Sequence, residues 1–461
     1  MFPRQTYLDR RKTLLSHIEQ GLILLLGNEM SSINYPDQHY PFRQDSSFLY
    51  YLGIDRPGLA ALLDPGTGKT TLFGDEYSLD MLVWVGKQTE LRQLAEQSGI
   101  ESIRPAQELA QAISHAQGKG QDIHFLPPYR PENLIKLHKL LGLGLAEVET
   151  GYSTSLIAAV VKQRSYKTEE EILQMEEAVN LSAAMHLSAM RSTKVGLKES
   201  AIMSVAQQAA LEADSRPAYG VICTVHGEVL HNEVYHHALT EDRLLLLDAG
   251  AESPLHYAGD ITRTWPVRGR FSQQQKEIYE IVESALRDSA QKLAPGMSYW
   301  DVHLGAAQIL FSGLKELGLV KGDVEEAVQA GAHTLFFPHG LGHMIGLDVH
   351  DMEDLGEDRV GYDETYQRDP RFGFRSLRLG RELETGFALT VEPGIYFIPA
   401  LIDAWQAEGK YADFINYKAL TPYRNFGGIR LENDYYITGQ GARLIGDPIP
   451  LSVAEVEAVM G

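Results

Sequence analysis

Residues 244–267 read LLLLDAGAESPLHYAGDITRTWPV, and this stretch determines the fold expected for the C-terminal half of the chain. The apolar run Leu244–Leu247 predicts a buried strand that ends at Asp248. Ser253-Pro254 indicates a turn, after which an alternating strand opens at Asp260. Two strands so close in the chain pair as a hairpin, so we expect the two carboxylates to face each other at about 5 Å. Only a cation or a shared proton relieves the repulsion between them.

Three later motifs carry further acidic and imidazole groups. They are HGLGH at 339–343, VEPG at 391–394 and GIRLE at 428–432. The two glycines of HGLGH allow a sharp turn or a close approach of the backbone. Arg430 and Glu432 lie two residues apart, so on a strand their side chains share one face, and the two apolar residues of GIRLE face the core.

These motifs together offer a donor set for metal ions. Four carboxylates and one imidazole can hold two divalent cations, and the charges then sum to zero. A water shared by two metals about 3.5–4 Å apart ionises near neutral pH. The oxygen-rich set favours manganese or cobalt, with zinc or iron as alternatives. Each motif alone also fits a simpler interpretation: Asp248 as a turn or cap residue, HGLGH as a glycine-rich turn with one packed histidine, and Glu-Pro-Gly as a strand end.

The N-terminal part of the chain has a different pattern. Strands are expected at Leu22–Leu26 and Ala60–Leu63, and helices at Glu90–Gln97 and Pro105–Ala116. This alternation predicts an α/β domain, and no chemically reactive side chains are concentrated in it. A domain boundary is expected within 151–168.

The C-terminal part predicts two helix–helix–strands halves. Thr168 with Glu171, and Ser272 with Gln275, have the spacing of capping boxes, each at the start of a long helix. Such halves form an α+β domain with internal pseudo-symmetry, and a cleft between them is a natural place for a site. Helices are expected at 168–196, 198–213, 272–294 and 299–317, and strands within 219–231, 243–267, 389–398 and 428–438.

Composition limits the classes of partner. The chain has 461 residues, a net charge of −21 and 44% hydrophobic residues. So acidic a chain is not expected to bind nucleic acid or an anionic membrane surface. The one cysteine, Cys223, excludes a disulfide within the chain, and the N-terminus lacks the apolar region of a signal peptide. We therefore expect a cytoplasmic protein.

Five C-terminal segments resemble the pita-bread metallopeptidases (family M24B), in the branch of prolidase and aminopeptidase P. The segments are LLLLDAGAE, YAGDITRTWPV, PHGLGHMIGLDVHD, LTVEPGIYF and GGIRLENDYYIT, in the order in which the family has them. The N-terminal segments RRKTLLSHIEQGLILLLGNE and YPFRQDSSFLYYLGI resemble the N-terminal domain of aminopeptidase P. The resemblance therefore covers nearly the whole chain.

The resemblance implies a fold and an activity. It implies an aminopeptidase P-type α/β domain at residues 1–160 and a pita-bread, creatinase/aminopeptidase-like α+β catalytic domain at 161–461. The implied reaction is hydrolysis of an Xaa-Pro bond by a hydroxide that two divalent metals activate, most simply Mn²⁺, with Co²⁺, Zn²⁺ or Fe²⁺ as alternatives. The implied assembly is a homodimer. The implied metal ligands are Asp248, Asp260, His343, Glu392 and Glu432.

The same resemblance assigns roles around the metals. Glu392 would also act as general acid and base, and Arg430 would lie beside the last glutamate ligand. His231, His339 and His350 match histidines near the substrate, where they would stabilise an oxyanion or transfer a proton. The chain departs from the family pattern in a spacing between the two aspartates that is one residue longer than usual, and in the segment TVHGEVLHN, which contains His231.

Two features favour a dipeptidase within this branch. The intervals before Glu392 and Glu432 are long, as in prolidases, and FRSLRLGREL resembles a prolidase motif whose arginine binds the dipeptide carboxylate. Arg378 is the matching residue, and a guanidinium suits a carboxylate because it binds both oxygens. Arg378 in a surface ion pair is the simpler interpretation.

Several other functions remain open from the sequence. An Xaa-Pro aminopeptidase would act on longer peptides with proline second. A metal-free hydrolase of creatinase type and a non-catalytic pita-bread binding module would both lack the ligand set. Methionine aminopeptidases share the C-terminal fold but typically lack this N-terminal domain.

Overall fold

The computed structural model describes the whole chain, residues 1–461. The chain forms two compact units, Met1–Arg164 with Asp354–Gly356, and Ser165–Glu353 with Glu357–Gly461. The domain boundary expected after residue 160 stays a prediction, because compactness alone does not show that each part folds independently. No helix is both long and apolar enough to cross a membrane.

The first unit contains a mixed five-stranded sheet with the strand order β6-β5-β4-β1-β7. Strand β1 pairs antiparallel with β4 and parallel with β7. The expected strands are present, but the helix expected from Pro105 begins only at Leu109, because Ala106–Glu108 form a 3₁₀ turn. The elements are α1 Arg4–Ser16, β1 Leu22–Leu26, β2 Ser32–Tyr35, β3 Gln38–His39, α2 Ser46–Leu52, β4 Ala60–Asp64, β5 Lys69–Phe73, α3 Leu79–Val85, α4 Leu91–Ser98, β6 Ser102–Arg104, α5 Leu109–Gly118, β7 Ile123–His124, α6 Pro131–Leu141, α7 Leu145–Thr150 and α8 Thr154–Arg164.

The second unit has long helices and short antiparallel sheets, as the sequence predicts. The sheets have the strand orders β10-β9-β8, β11-β14-β15 and β12-β13. The elements are α9 Glu169–Ser192, α10 Glu199–Glu212, β8 Ile222–Thr224, β9 Leu244–Asp248, β10 Thr262–Pro266, α11 Gln273–Lys292, α12 Tyr299–Glu316, α13 Val324–Ala330, α14 Glu357–Val360, β11 Ala388–Val391, β12 Gly394–Tyr396, α15 Pro399–Glu408, β13 Gly428–Arg430, β14 Asn433–Thr438, β15 Gly441–Leu444 and α16 Val453–Met460.

Both predicted capping boxes are confirmed. The Thr168 hydroxyl accepts the Glu171 N–H, and the Glu171 carboxylate accepts the Thr168 N–H, at the start of α9. Ser272 and Gln275 make the same pair of bonds before α11. Each box satisfies backbone donors that a helix start leaves unpaired, so a few neighbouring residues determine where each of these helices begins.

The strands that carry the acidic residues differ from the expectation in three respects. Strand β10 begins at Thr262, which lies opposite Asp248, so Asp260 lies in the link before β10 rather than opening that strand. The segment 428–438 forms two strands in different sheets, because β13 pairs with β12 and β14 with β11. Glu432 therefore lies in the link after β13, and does not share a strand with Arg430. Within 219–231 only Ile222–Thr224 is a strand.

Candidate metal centre

The sheets of the second unit place the expected site residues around one cavity of about 830 Å³. Its walls include the ends of β9 and β13, Glu392 directly after β11, and loop residues. Every residue that the sequence nominated lines this cavity: Asp248, Asp260, His343, Glu392, Glu432, His231, His339, His350, Arg378 and Arg430.

The densest group of metal-binding atoms consists of Asp260, His343 and Glu432. One ligand atom from each lies within 4.8 Å of the others, and all three residues are buried. His343 Nε2 lies 3.4 Å from Asp260 Oδ2 and 3.7 Å from Glu392 Oε1. Nδ1 of His343 donates to the Met344 carbonyl at 3.0 Å, because a carbonyl can only accept. Nε2 is therefore the ring nitrogen that faces the carboxylates, and it is the atom through which this imidazole would bind a metal.

Tyr219 joins the two aspartates of the hairpin. Its hydroxyl lies 2.7 Å from Asp248 Oδ1 and 2.6 Å from Asp260 Oδ1. A phenol donates only one hydrogen, so both contacts cannot be ordinary hydrogen bonds to ionised carboxylates. Burial and the neighbouring carboxylates hold the pKa of Tyr219 well above its usual value, so the phenol stays neutral. Tyr219 was not identified from the sequence, because nothing around residue 219 resembles a catalytic motif.

The carboxylates of the cavity are hard to ionise together without a cation. Burial, and then repulsion from Asp260 and Asp248, raise the pKa of Glu392 to about 8, although Arg430 opposes the shift. Burial also raises the pKa of Asp248 and of Glu432. Burial acts in the same direction on Asp260, but His343, Tyr219 and His350 together outweigh it, and the pKa of that carboxyl is lowered. The group requires positive charge beyond what the protein supplies.

Two buried acidic oxygens support the same conclusion. Glu432 Oε1 and Asp434 Oδ1 have no hydrogen-bond partner, and both residues are almost inaccessible. The other oxygen of Asp434 accepts the Asp260 N–H at 2.9 Å. Buried acceptors are nearly always satisfied, so the unsatisfied Glu432 oxygen, in a group that includes the His343 imidazole, fits a divalent cation. Asp434 was not identified from the sequence, because GIRLEND reads as an ordinary strand with a polar end.

Arg430 and Tyr396 form the rigid wall behind this group. Arg430 is 4% exposed and its Nη2 lies 2.5 Å from Asp248 Oδ2. Its Nη1 donates to the Tyr396 hydroxyl at 3.0 Å, which lies 2.8 Å from His339 Nε2. Nδ1 of His339 donates to the Gly340 carbonyl at 2.8 Å. Burial and the charge of Arg430 lower the pKa of His339 to about 3, so this histidine is neutral.

The opposite side of the cavity is lined by arginines. Nε of Arg378 lies 2.8 Å from Glu357 Oε1, yet it has no hydrogen-bond partner, so the contact is an ion pair without directed geometry. Glu357 also pairs with Arg368 at 2.7 Å. His350 Nδ1 lies 2.5 Å from Glu353 Oε2. His231 lies at an exposed position on the same cavity.

Fold and site together define a metal-dependent hydrolase, and comparison with known proteins gives its family. Residues 173–439 match metallopeptidase family M24, and residues 7–124 match the aminopeptidase P N-terminal domain. This chain belongs to metallopeptidase family M24, so the family and the fold predicted from the sequence are confirmed.

Relatives with two different names are similar to this chain. Human Xaa-Pro dipeptidase is 32% identical over 451 residues, covering 95% of this chain and 88% of the human protein. Escherichia coli (strain K12) Xaa-Pro aminopeptidase is 31% identical over 474 residues, covering 99% and 98%. The solved structure of Pseudomonas aeruginosa aminopeptidase PepP matches with a TM-score of 0.81 at 29% identity, covering 100% of this chain and 98% of that one.

Proposed function

We propose that this metal-dependent Xaa-Pro peptidase is an Xaa-Pro dipeptidase, or prolidase. The observation that carries the metallopeptidase part is the buried group of Asp260, His343 and Glu432 with its unsatisfied oxygen. The observation that favours a dipeptidase is the guanidinium of Arg378, which lines the same cavity. Its terminal nitrogens, rather than the buried Nε that faces Glu357, would bind a free proline carboxylate with two parallel hydrogen bonds.

Asp248, Asp260, His343, Glu392 and Glu432 would hold two divalent ions. Such ions polarise a scissile carbonyl and lower the pKa of water by several units. Their positive charge would keep Glu392 ionised at neutral pH, since it opposes the repulsion that raises the pKa of this carboxyl. Glu392 would then accept a proton from the attacking water and deliver it to the leaving proline nitrogen.

The histidines would act on the substrate rather than on the metals. His339 is neutral and fixed at both ring nitrogens, so it would orient the Tyr396 hydroxyl and close one wall. His350 and His231 are accessible from the cavity and would donate to the carbonyl oxygen as negative charge develops. Arg430 is engaged by Asp248 and Tyr396, so its contribution would be to hold that wall in place.

The alternative is an Xaa-Pro aminopeptidase that releases the first residue of longer peptides. The match to the Escherichia coli Xaa-Pro aminopeptidase over 98% of its length favours it. The two activities differ in the group that the proline carbonyl carries: a dipeptidase requires a free carboxylate there, and an aminopeptidase accepts an amide.

Comparing Ala-Pro with Ala-Pro-Ala as substrates of the Mn²⁺-loaded protein tests the proposal. We expect kcat/KM for the dipeptide to exceed that for the tripeptide by about tenfold or more, because one charge-assisted contact is worth about 1.5–3 kcal/mol. Equal kcat/KM values would identify the protein as an aminopeptidase. If the protein hydrolyses neither substrate, both proposed activities are wrong.

We further propose manganese as the metal and a cytoplasmic homodimer as the working form. Oxygen-rich ligands with one imidazole suit Mn²⁺, and metal analysis of protein purified without added metal tests this. Helix α3 exposes apolar side chains, with Trp84 83% and Leu79 82% exposed, which supports an interface with a second copy. Light scattering should give the mass of two chains for the wild type and the mass of one chain for Trp84→Glu.

A further inference from the structure

One carboxylate oxygen on the cavity wall contacts both a candidate catalytic histidine and the candidate carboxylate anchor. Oε2 of Glu353 lies 2.5 Å from His350 Nδ1 and 3.6 Å from Arg378 Nε. The three side chains are each between 31% and 43% exposed. Nothing in the sequence motifs drew attention to Glu353.

We infer that Glu353 is the positioning residue of His350. A carboxylate can only accept, so Nδ1 of His350 carries its hydrogen toward Glu353 and the ring is held in one orientation. The other ring nitrogen, Nε2, is then the atom left for the substrate. Carboxylates that fix a functional imidazole in this way set both its orientation and its tautomer.

The backbone between His350 and Glu353 holds the two residues in the positions that this contact requires. The Glu353 N–H donates to the His350 carbonyl at 3.2 Å, which closes a tight turn between the two residues. Asp351, between them, is anchored by a buried ion pair with Lys167 at 2.9 Å. Met352 adopts a φ of 63° and is fully buried. The turn therefore fixes both Cα positions, and the two side chains meet across it.

The contact with Arg378 also links Glu353 to substrate binding. The same oxygen of Glu353 faces both His350 and Arg378. One carboxylate would therefore position both the residue that transfers a proton and the residue that binds the proline carboxylate. This part of the inference rests on the proposed dipeptidase function. Glu357 offers a matched control, since it lies 2.8 Å from Arg378 Nε but is not in contact with His350.

The experiment compares Glu353→Gln and Glu357→Gln in the full-length, Mn²⁺-loaded protein with Ala-Pro as substrate. Loss of an orienting carboxylate typically lowers activity by about 10–100-fold, so we expect kcat of Glu353→Gln to fall by that factor with metal content unchanged. Glu357→Gln should change KM and leave kcat within about twofold, because Glu357 pairs with Arg378 and Arg368 and not with His350.

A double-mutant cycle separates positioning from general stability. If Glu353 acts through His350, Glu353→Gln should add almost nothing to the loss in kcat caused by His350→Ala. Additive losses, equal losses of kcat in Glu353→Gln and Glu357→Gln, or loss of metal from Glu353→Gln would each overturn the inference.

The results that would contradict the proposed function differ from those that would contradict the role of Glu353. If the wild type cleaves neither substrate, the activity itself is wrong, and if His350→Ala keeps full kcat, the role of His350 is wrong. If His350→Ala loses kcat and Glu353→Gln does not, only the inference about Glu353 is wrong. If circular dichroism shows that Glu353→Gln is unfolded, Glu353→Asp replaces it in the same cycle. A smaller loss of kcat is expected for Glu353→Asp.

Discussion

The two sides of the cavity hold their charges in different ways. On the metal side Asp260, His343 and Glu432 are 6%, 4% and 2% exposed and come from segments beside strands β10, β11 and β13. On the arginine side the side chains of Arg378 and Glu353 are 33% and 43% exposed and come from turns. Both sides contain closely opposed charges, so only burial and backbone support distinguish them.

This difference determines how much each side chain can contribute. A buried charge that loses its counterion costs several kcal/mol, because no water replaces the partner. A half-exposed ion pair is screened by solvent and contributes about 1 kcal/mol or less unless its geometry is ideal. Substitutions of the buried metal-side residues should therefore abolish function, and substitution of the half-exposed Arg378 should change specificity.

The largest effect is expected from Asp260→Asn. The substitution removes one negative charge from a dry group of metal ligands, so the protein should lose bound metal and nearly all turnover of Ala-Pro. Metal analysis and kcat/KM measure both, with Asp403→Asn, a change in an exposed ion pair, as the control. An Asp260→Asn protein with wild-type metal content and turnover would show that burial does not distinguish the two sides.

Alanine at His339 or His350 should have the next largest effect. Neither residue belongs to the metal-binding group, so metal content should stay unchanged while kcat falls by about 10²–10⁴-fold. For His350 this is the range for proton transfer and oxyanion donors, and for His339 the loss reflects removal of the group that orients the Tyr396 hydroxyl. His236→Ala, at an exposed position outside the cavity, serves as the control. Near-normal kcat in both variants would make the two histidines packing residues.

Arg378→Ala should change specificity and spare the chemistry. The preference for Ala-Pro over Ala-Pro-Ala should narrow by about 10–100-fold through KM, because one bidentate contact is lost. Arg378→Lys should restore only part of the preference, since an ammonium cannot bind both oxygens as a fork. Arg424→Ala, in a surface ion pair, controls for loss of charge. An unchanged preference in Arg378→Ala would assign this arginine to the surface.

The smallest effect concerns a buried group that is kept neutral instead of being paired. His303 is 1% exposed, and burial lowers its pKa to about 4. An unfolded histidine titrates near pH 6.5, so the stability that neutral His303 provides is complete above that pH and is lost as the pH falls toward 4. Lowering the pH from 7 to 5 should therefore decrease the free energy of unfolding by about 2 kcal/mol through this histidine.

Urea denaturation of metal-free protein at both pH values measures this cost. Between pH 7 and pH 5, the free energy of unfolding of His303→Phe should fall by about 2 kcal/mol less than that of the wild type, because phenylalanine does not titrate. His236→Phe, at an exposed position, should behave like the wild type. Equal pH dependence in all three proteins would show that His303 does not resist protonation.

The sequence predicted the features that local chemistry controls. Thr168 with Glu171 marked the start of α9, and the apolar run Leu244–Leu247 marked a buried strand. The acidic residues at the ends of such runs were recognisable because a buried carboxylate needs a partner. The same reasoning found the acidic groups of the cavity without any knowledge of how the sheets pack.

The features it could not predict depend on pairing between distant segments. The register that sets Thr262 opposite Asp248, and the break between Arg430 and Glu432, arise from strands that meet only in the folded chain. Tyr219 and Asp434 were missed for the same reason. A tyrosine or an aspartate in an ordinary segment gains its role only from the groups placed beside it by the fold.

The distribution of the metal-binding group along the chain also affects synthesis. Asp260, His343 and Glu432 belong to separate segments, and Glu432 follows Asp260 by 172 residues. At about 5–20 residues per second, the ribosome needs about 10–30 s to proceed from the first of these residues to the last. A nascent chain therefore cannot assemble the centre until Glu432 has been synthesised. A chain that terminates before Glu432 cannot form the complete group.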